Sequence, residues 1–194
     1  MKNIKFLSVL ALVGLLVMSC SAMDKYRAPD TKGLTLEEAV SVLNTPEKIN
    51  AWFDRNMAWY RSGNTFRSPQ EIYESKRGSC IHYANLAAYL LDRNGYEAEV
   101  LYARYMSVSM GGISGHAVCV YKKDGKWWTC GDSRGRHAGR YSNYRYAYYT
   151  TGPFKTLEDV ARWAAGDHGV KYYSAKTHRS FTKMSEKVEL VWPK

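Results

Sequence analysis

Apolar positions recur at two different spacings along this 194-residue chain, and the switch between them divides it into a helical part and a strand-rich part. Thr35-Leu36-Glu37-Glu38 has the layout of a capping box, so a helix is expected from Leu36 to about Leu43. Thr45-Pro46 starts a second helix, with proline at its first position. Ile49, Trp52, Phe53 and Met57 then recur at helical spacing. Ser68-Pro69-Gln70-Glu71 starts a third, for which Gly78 is the expected stop. Residues 80–94 are rich in alanine and leucine and apolar almost all round, which predicts a buried central helix closed by Gly95.

Beyond Gly95 the period shortens to two. Glu97 to Tyr105 alternates as a strand does. Residues 116–121 and 126–131 read as two further strands joined by Lys122-Lys123-Asp124-Gly125, a hairpin signal. The segment 110–115 is a glycine-rich loop, and 133–152, rich in Arg, Tyr and Gly, a long one. Thr156-Leu157-Glu158-Asp159 opens another helix, stopped by Gly166, and strands are expected at 171–174 and 187–192. Helices followed by an antiparallel sheet make an α+β fold.

The first 20 residues belong to a different class. Lys2 and Lys5 precede an apolar run from Phe6 to Met18, too short to span a bilayer comfortably. This is the layout of a secretory signal. Its end, Val17-Met18-Ser19-Cys20, resembles a bacterial lipoprotein box, with Cys20 lipidated, although Met18 is unusual there. The expected organisation is a signal at 1–20, a polar tether at 21–33 and one domain at 34–194. The expected location is the bacterial envelope, lipid-anchored to a membrane, with Ser21 leaning toward the periplasmic side of the outer one. The signal holds two of the 28 basic residues and none of the 18 acidic ones, leaving a formal charge of +8. That suits an anionic envelope. No nucleic-acid motif is present, so nucleic acid is not an expected partner, and a monomer is expected.

With Cys20 assigned to lipid, Cys80, Cys119 and Cys130 remain, an odd number that leaves at least one thiol without an intramolecular partner. No pair has metal-ligand spacing, so neither metal nor other cofactor is expected. Cys80 follows Gly78-Ser79 at a helix start, where backbone N–H groups and the helix dipole favour thiolate. From position alone, a small buried hydrophobe is the commoner reading. His116 begins a strand, and Asp132 lies just past the next, an arrangement in which an acid orients a base. The hairpin register decides whether they meet. A two-residue Asp124-Gly125 turn sets Cys119 opposite Cys130 and puts His116 and Asp132 on opposite faces. A three-residue Lys123-Asp124-Gly125 loop sets His116 opposite Asp132. The second register, with no Cys119–Cys130 bond, is the expected one.

Together these fragments resemble the transglutaminase-like superfamily of papain-like enzymes. The resemblance covers about residues 50–135. It rests on Trp52-Phe53-(x)5-Trp59-Tyr60, Ser68-Pro69-Gln70-Glu71, Gly78-Ser79-Cys80-(x)3-Ala84-(x)2-Ala87-(x)2-Leu90-Leu91-(x)3-Gly95-Tyr96-Glu97-Ala98, Gly115-His116-Ala117-Val118 and Trp127-Trp128-(x)3-Asp132. Each is weak alone, and the order and spacing carry the match. The resemblance implies a papain-like core, with a Cys-bearing central helix packed on an antiparallel sheet carrying His and Asp. It implies Cys80 as nucleophile on a carboxamide or peptide carbonyl, His116 as base and Asp132 as its orienter. The oxyanion donors would be the Cys80 backbone N–H and the Trp59 indole, with Tyr60 second. A peptide or protein substrate in the envelope and transfer through a thioester are implied, with a cysteine peptidase favoured over a cross-linking transferase. A non-catalytic envelope-binding lipoprotein of the same fold is the other reading. His82, His137, His168 and His178 are read as structural. Tyr141, Tyr144, Tyr146, Tyr148 and Tyr149, mixed with Arg134, Arg136, Arg140 and Arg145, are read as a surface loop rather than a sugar or peptide groove.

Overall fold

The computed structural model describes residues 28–60, 67–107, 111–132, 149–166 and 171–178. Cys20, the residues 133–148 of the Arg/Tyr-rich stretch, His137, His168 and the strand expected at 187–192 lie outside them.

Among the described residues four helices come first: α1 (Leu36–Val42), α2 (Pro46–Asn56), α3 (Pro69–Ser75) and α4 (Cys80–Arg93). Two short parallel strands, β1 (Ala58–Trp59) and β2 (Arg77–Gly78), pair between them. The reason for each start is local. Thr35 Oγ1 accepts the Glu38 N–H at 3.3 Å while Glu38 accepts the Thr35 N–H at 2.8 Å. Ser68 and Glu71 repeat the exchange on α3, at 3.3 and 2.7 Å. Each box satisfies two N–H groups that would otherwise have no helical partner.

Gly78 is not the stop expected for α3. Lys76 turns left-handed at φ 49° and its N–H closes the last turn on Ile72 O at 2.9 Å. Gly78 is instead paired with Trp59, and it must be glycine for another reason. A Cβ there would stand 2.4 Å from the Cβ of His82.

The second part is a five-stranded antiparallel sheet in the order β6-β5-β4-β3-β7. Its strands are β3 (Ala98–Ser107), β4 (Gly112–Lys123), β5 (Lys126–Asp132), β6 (Tyr149–Phe154) and β7 (Lys171–His178), with helix α5 (Leu157–Gly166) before β7. The glycine-rich segment is strand from Gly112 onward, because Gly112 pairs with Ser107 across the β3–β4 hairpin. Tyr149–Phe154 is β6, so the last four residues of the loop expected at 133–152 are strand, because β5 offers them a free ladder.

Alternation divides the sheet residues between two cores. Val100, Ala117, Cys119, Tyr121 and Cys130 pack with α1 to α4, including Trp52, Phe53, Leu86, Leu90 and Leu91. Leu101, Ala103, Val118 and Val120 pack with Val160, Ala161 and Ala164 of α5. Each fully buried side chain of the Leu, Val or Phe kind contributes about 1.5–3 kcal/mol. No helix among the described residues is long and apolar enough to cross a membrane.

The hairpin register is the other correction. Lys123 pairs with Lys126 and Cys119 with Cys130, so the loop is the two-residue Asp124-Gly125 turn and not the three-residue one. Both turn residues are left-handed, at φ 53° and 70°. That is the primed turn whose twist matches the strands it joins. Cys119 and Cys130 are nevertheless both free thiols. Regular alternation would leave positions 116 and 132 on opposite faces. A β-bulge restores them. Thr129 pairs with Thr151 and Asp132 with Tyr149, so three residues of β5 advance against two of β6. The extra residue resets the alternation and returns position 132 to the face of position 116.

Candidate active site

Gly131 makes that bulge. It sits at φ 72°, and a Cβ on it would come 2.8 Å from Phe53 Cε2. Its N–H, freed from the ladder, donates to Asn50 Oδ1 of α2 at 2.8 Å. Asn50 is buried, donates to Thr150 Oγ1 at 3.1 Å, and so ties β5 and β6 to α2 where the chain bends toward Asp132. The sequence reading missed Asn50. A polar residue at a core position of an amphipathic helix was the available signal.

Where β5 bends away, β4 has an edge left unpaired among the described residues: its pairing with β5 ends at Cys119–Cys130. The start of α4 fills that edge. The Cys80 sulfur accepts hydrogen bonds from the Ala117 and Ile81 N–H groups and is hydrogen-bonded to His116. Burial pushes the Cys80 thiol up, but the His116 hydrogen bond, the His116 charge and the two N–H donors together outweigh it and hold the thiol below its ordinary value. His116 is nearly buried, on the face of Val118 and Val120, and its ring reaches the sulfur at the strand edge. The structure thus brings together two of the three residues singled out in the sequence. Position 132 ends β5 on the same face as His116, and its carboxylate lies outside the described residues.

The two aromatic candidates part company. Trp59 pairs with Gly78, two residues before Cys80, is 40% exposed, and stacks on Tyr83 of α4 at 6.1 Å between ring centroids. It stands beside the helix start. Tyr60 is 51% exposed, with the Arg77 guanidinium 5.3 Å over its ring. Strand alternation puts it on the other face of the β1–β2 ribbon.

Tyr102 lies near the sulfur, and His82 lies at the cap of α4. Tyr102 of β3 pairs with Ala117, and its hydroxyl lies over Gly115, where a Cβ would meet it at 2.1 Å. Burial, and then the charge of Cys80, raise the Tyr102 phenol above its usual value. His82 is buried, and its Nδ1 accepts the Ser79 N–H at 3.0 Å. It was read as structural and does face the cap rather than the sulfur. Among the described residues no cluster of His, Cys, Asp or Glu is arranged to hold a metal ion.

The family model described as transglutaminase-like superfamily matches residues 32–131, which is 100 of the 194 residues. Among solved structures, calcium-bound LapG of Legionella pneumophila is similar at 18% identity and TM-score 0.39, over 58% of this chain and 70% of that one. Another LapG structure is similar at 15% identity and TM-score 0.35, over 52% and 56%. A candidate cysteine protease of Cytophaga hutchinsonii is similar at 13% identity and TM-score 0.42, over 79% and 52%. The chain spans between about half and seven tenths of these proteins, and no residue role rests on them. Comparison with curated proteins finds no match.

Proposed function

This chain belongs to the transglutaminase-like superfamily, and from that premise we propose that it is a cysteine peptidase or amidase acting through Cys80, His116 and Asp132. One observation carries the reading: the Cys80 thiol, at a helix start, is hydrogen-bonded to His116 and held below its ordinary value despite burial. A thiol in a merely structural role would move the other way.

The steps follow from the groups present. The Cys80 thiolate attacks the carbonyl carbon of an amide, and the carbonyl electrons move onto oxygen. The Cys80 backbone N–H and the Trp59 indole N–H receive that oxyanion. The C–N bond breaks, and His116 gives its proton to the leaving amine. A thioester on Cys80 remains. His116 then takes a proton from water as the water attacks, and the acid product leaves with the thiolate restored. Asp132 orients the His116 ring throughout.

Placement in the envelope belongs to the same proposal and rests on residues 1–33 alone. A lipid on Cys20 and the tether hold the domain at the periplasmic side of a membrane, the outer one favoured, where peptides and proteins of the envelope are its substrates. The +8 charge of the mature chain suits that anionic surface.

The test is mass spectrometry of the full chain after incubation with an envelope peptide extract. The expected result is an acyl adduct on Cys80, absent from Cys80→Ala, that decays to free acid in water. Decay only when a lysine amine is added would make the chain a cross-linking transferase. No adduct, together with alkylation of Cys80 only above the ordinary thiol range near 8.5, would leave a non-catalytic envelope-binding domain.

A further inference from the structure

Among the described residues, four helices begin with the residue at the cap donating its N–H to a side chain three positions on. In three of them the acceptor is a carboxylate: Glu38 at 2.8 Å, Glu71 at 2.7 Å and Asp159 at 2.9 Å. In the fourth, α4, it is His82 Nδ1, at 3.0 Å from Ser79 N. Accepting that N–H requires an unprotonated Nδ1, and therefore a neutral ring in this arrangement. The first turn of α4 contains no acidic residue.

The exception falls on the helix whose first residue is Cys80. A carboxylate near a helix start is ordinarily favourable, because it complements the dipole and the unpaired N–H groups. Beside a thiolate it has the opposite effect. It repels the second negative charge and competes for the same dipole. Among the described residues the other groups facing the sulfur are His116 of β4, which favours the thiolate, and the neutral phenol of Tyr102 of β3. A neutral acceptor keeps the cap closed and adds no negative charge to this set.

The packing shows that the ring is built into the site. His82 is 1% exposed, and its Cβ and Nδ1 lie 2.4 and 3.2 Å from where a Gly78 Cβ would be. Gly78 is the partner of Trp59 in the β1–β2 pair. The imidazole therefore packs on β2, the strand paired with that of Trp59, and holds it to the turn that carries Cys80.

We propose that His82 is a positioning residue for the nucleophile, a neutral replacement for the capping carboxylate that fixes the start of α4 without placing negative charge beside Cys80. The inference rests on Cys80 working as a thiolate. It names a residue the reaction steps above do not use.

The experiment follows iodoacetamide alkylation of Cys80 against pH in the full chain, read by mass spectrometry on the peptide 78–93. No substrate is needed. His82→Glu restores the usual carboxylate and is expected to raise the midpoint by about one pH unit, a roughly tenfold slower reaction below it. His82→Gln keeps a neutral acceptor and is expected to keep the wild-type midpoint. Should His82→Glu fail to fold, as a melting curve would show, Ser79→Asp places the charge at the cap with a well-tolerated residue, and the same upward shift is expected. An unmoved midpoint in the folded acidic variant, or an equal shift with Gln, overturns the proposal. A wild-type midpoint near the free-thiol value speaks instead against the peptidase reading, whichever way the variants fall.

Discussion

Cys80 and Cys130 are both enclosed by the helical layer, yet their surroundings drive them in opposite directions. The Cys130 thiol faces Pro46 O at 3.7 Å and Asn50 Oδ1 at 3.6 Å, two acceptors that can only receive its proton. Burial, with Cys119 and Glu47 nearby, raises it well above the ordinary thiol value. Cys119, across the ladder, donates weakly to Val120 O at 3.8 Å, and burial raises it as well. Cys80, half-buried, is also pushed up by enclosure but faces donors: His116, the Ala117 N–H and the Ile81 N–H. Enclosure alone therefore does not make a reactive cysteine. The polarity of the groups turned toward the sulfur does.

Replacing members of the donor set breaks this contrast most severely. Cys80→Ala is expected to abolish the acyl adduct and amide turnover altogether, measured as product release. His116→Ala removes both the hydrogen bond and the charge and leaves burial unopposed. Its alkylation midpoint is expected to rise past about 8.5, and turnover to fall by on the order of 10²–10⁴. The lowered thiol of the wild type fixes the direction of its pH dependence. Thiolate accumulates as pH rises, so alkylation reaches its midpoint below the free-thiol range and falls away on acidification. The same shift contributes stability that is present above the unfolded-state value and is lost as pH falls through the folded one. Native protein at neutral pH is expected to label at Cys80 and, of the other two, at neither until it unfolds.

Smaller effects sharpen the comparison from the structural side. Gly131→Ala meets both a left-handed backbone and the Phe53 ring, and is expected to cost about 1–3 kcal/mol in denaturant unfolding. Asn50→Ala leaves the buried Gly131 N–H without its acceptor, for a loss of about 1–3 kcal/mol. In both, turnover is expected to fall more than Cys80 alkylation, because the bulge positions Asp132 and not the sulfur. Cys119→Ala should matter least, about 1 kcal/mol in stability with the Cys80 midpoint unchanged.

The helix starts were legible because their chemistry is local. Thr35 with Glu38, Ser68 with Glu71 and the Cys80 turn each lie within four residues, and each formed where its pattern placed it. The hairpin shows where local reasoning stopped. The turn is Asp124-Gly125 and not the expected three-residue loop, an expectation that follows only if β5 is regular up to Asp132. The bulge depends on Gly131 meeting Asn50, 81 residues away, and nothing in the strand's own pattern announces that. Gly78 was misread for a similar reason: a glycine that makes room for a distant partner looks, in one dimension, like a glycine that ends a helix.

Spacing and residue type by themselves determined that this chain has a capped, buried helix headed by a cysteine, followed by an antiparallel sheet bearing His116, because periodicity and capping act over a single turn or strand. Only the tertiary structure decided which cysteine faces donors, how positions 116 and 132 come to share a face, and why His82 stands where three other helices have a carboxylate. Those outcomes depend on which groups are turned toward one another across the fold, and electrostatic preference is set by those neighbours.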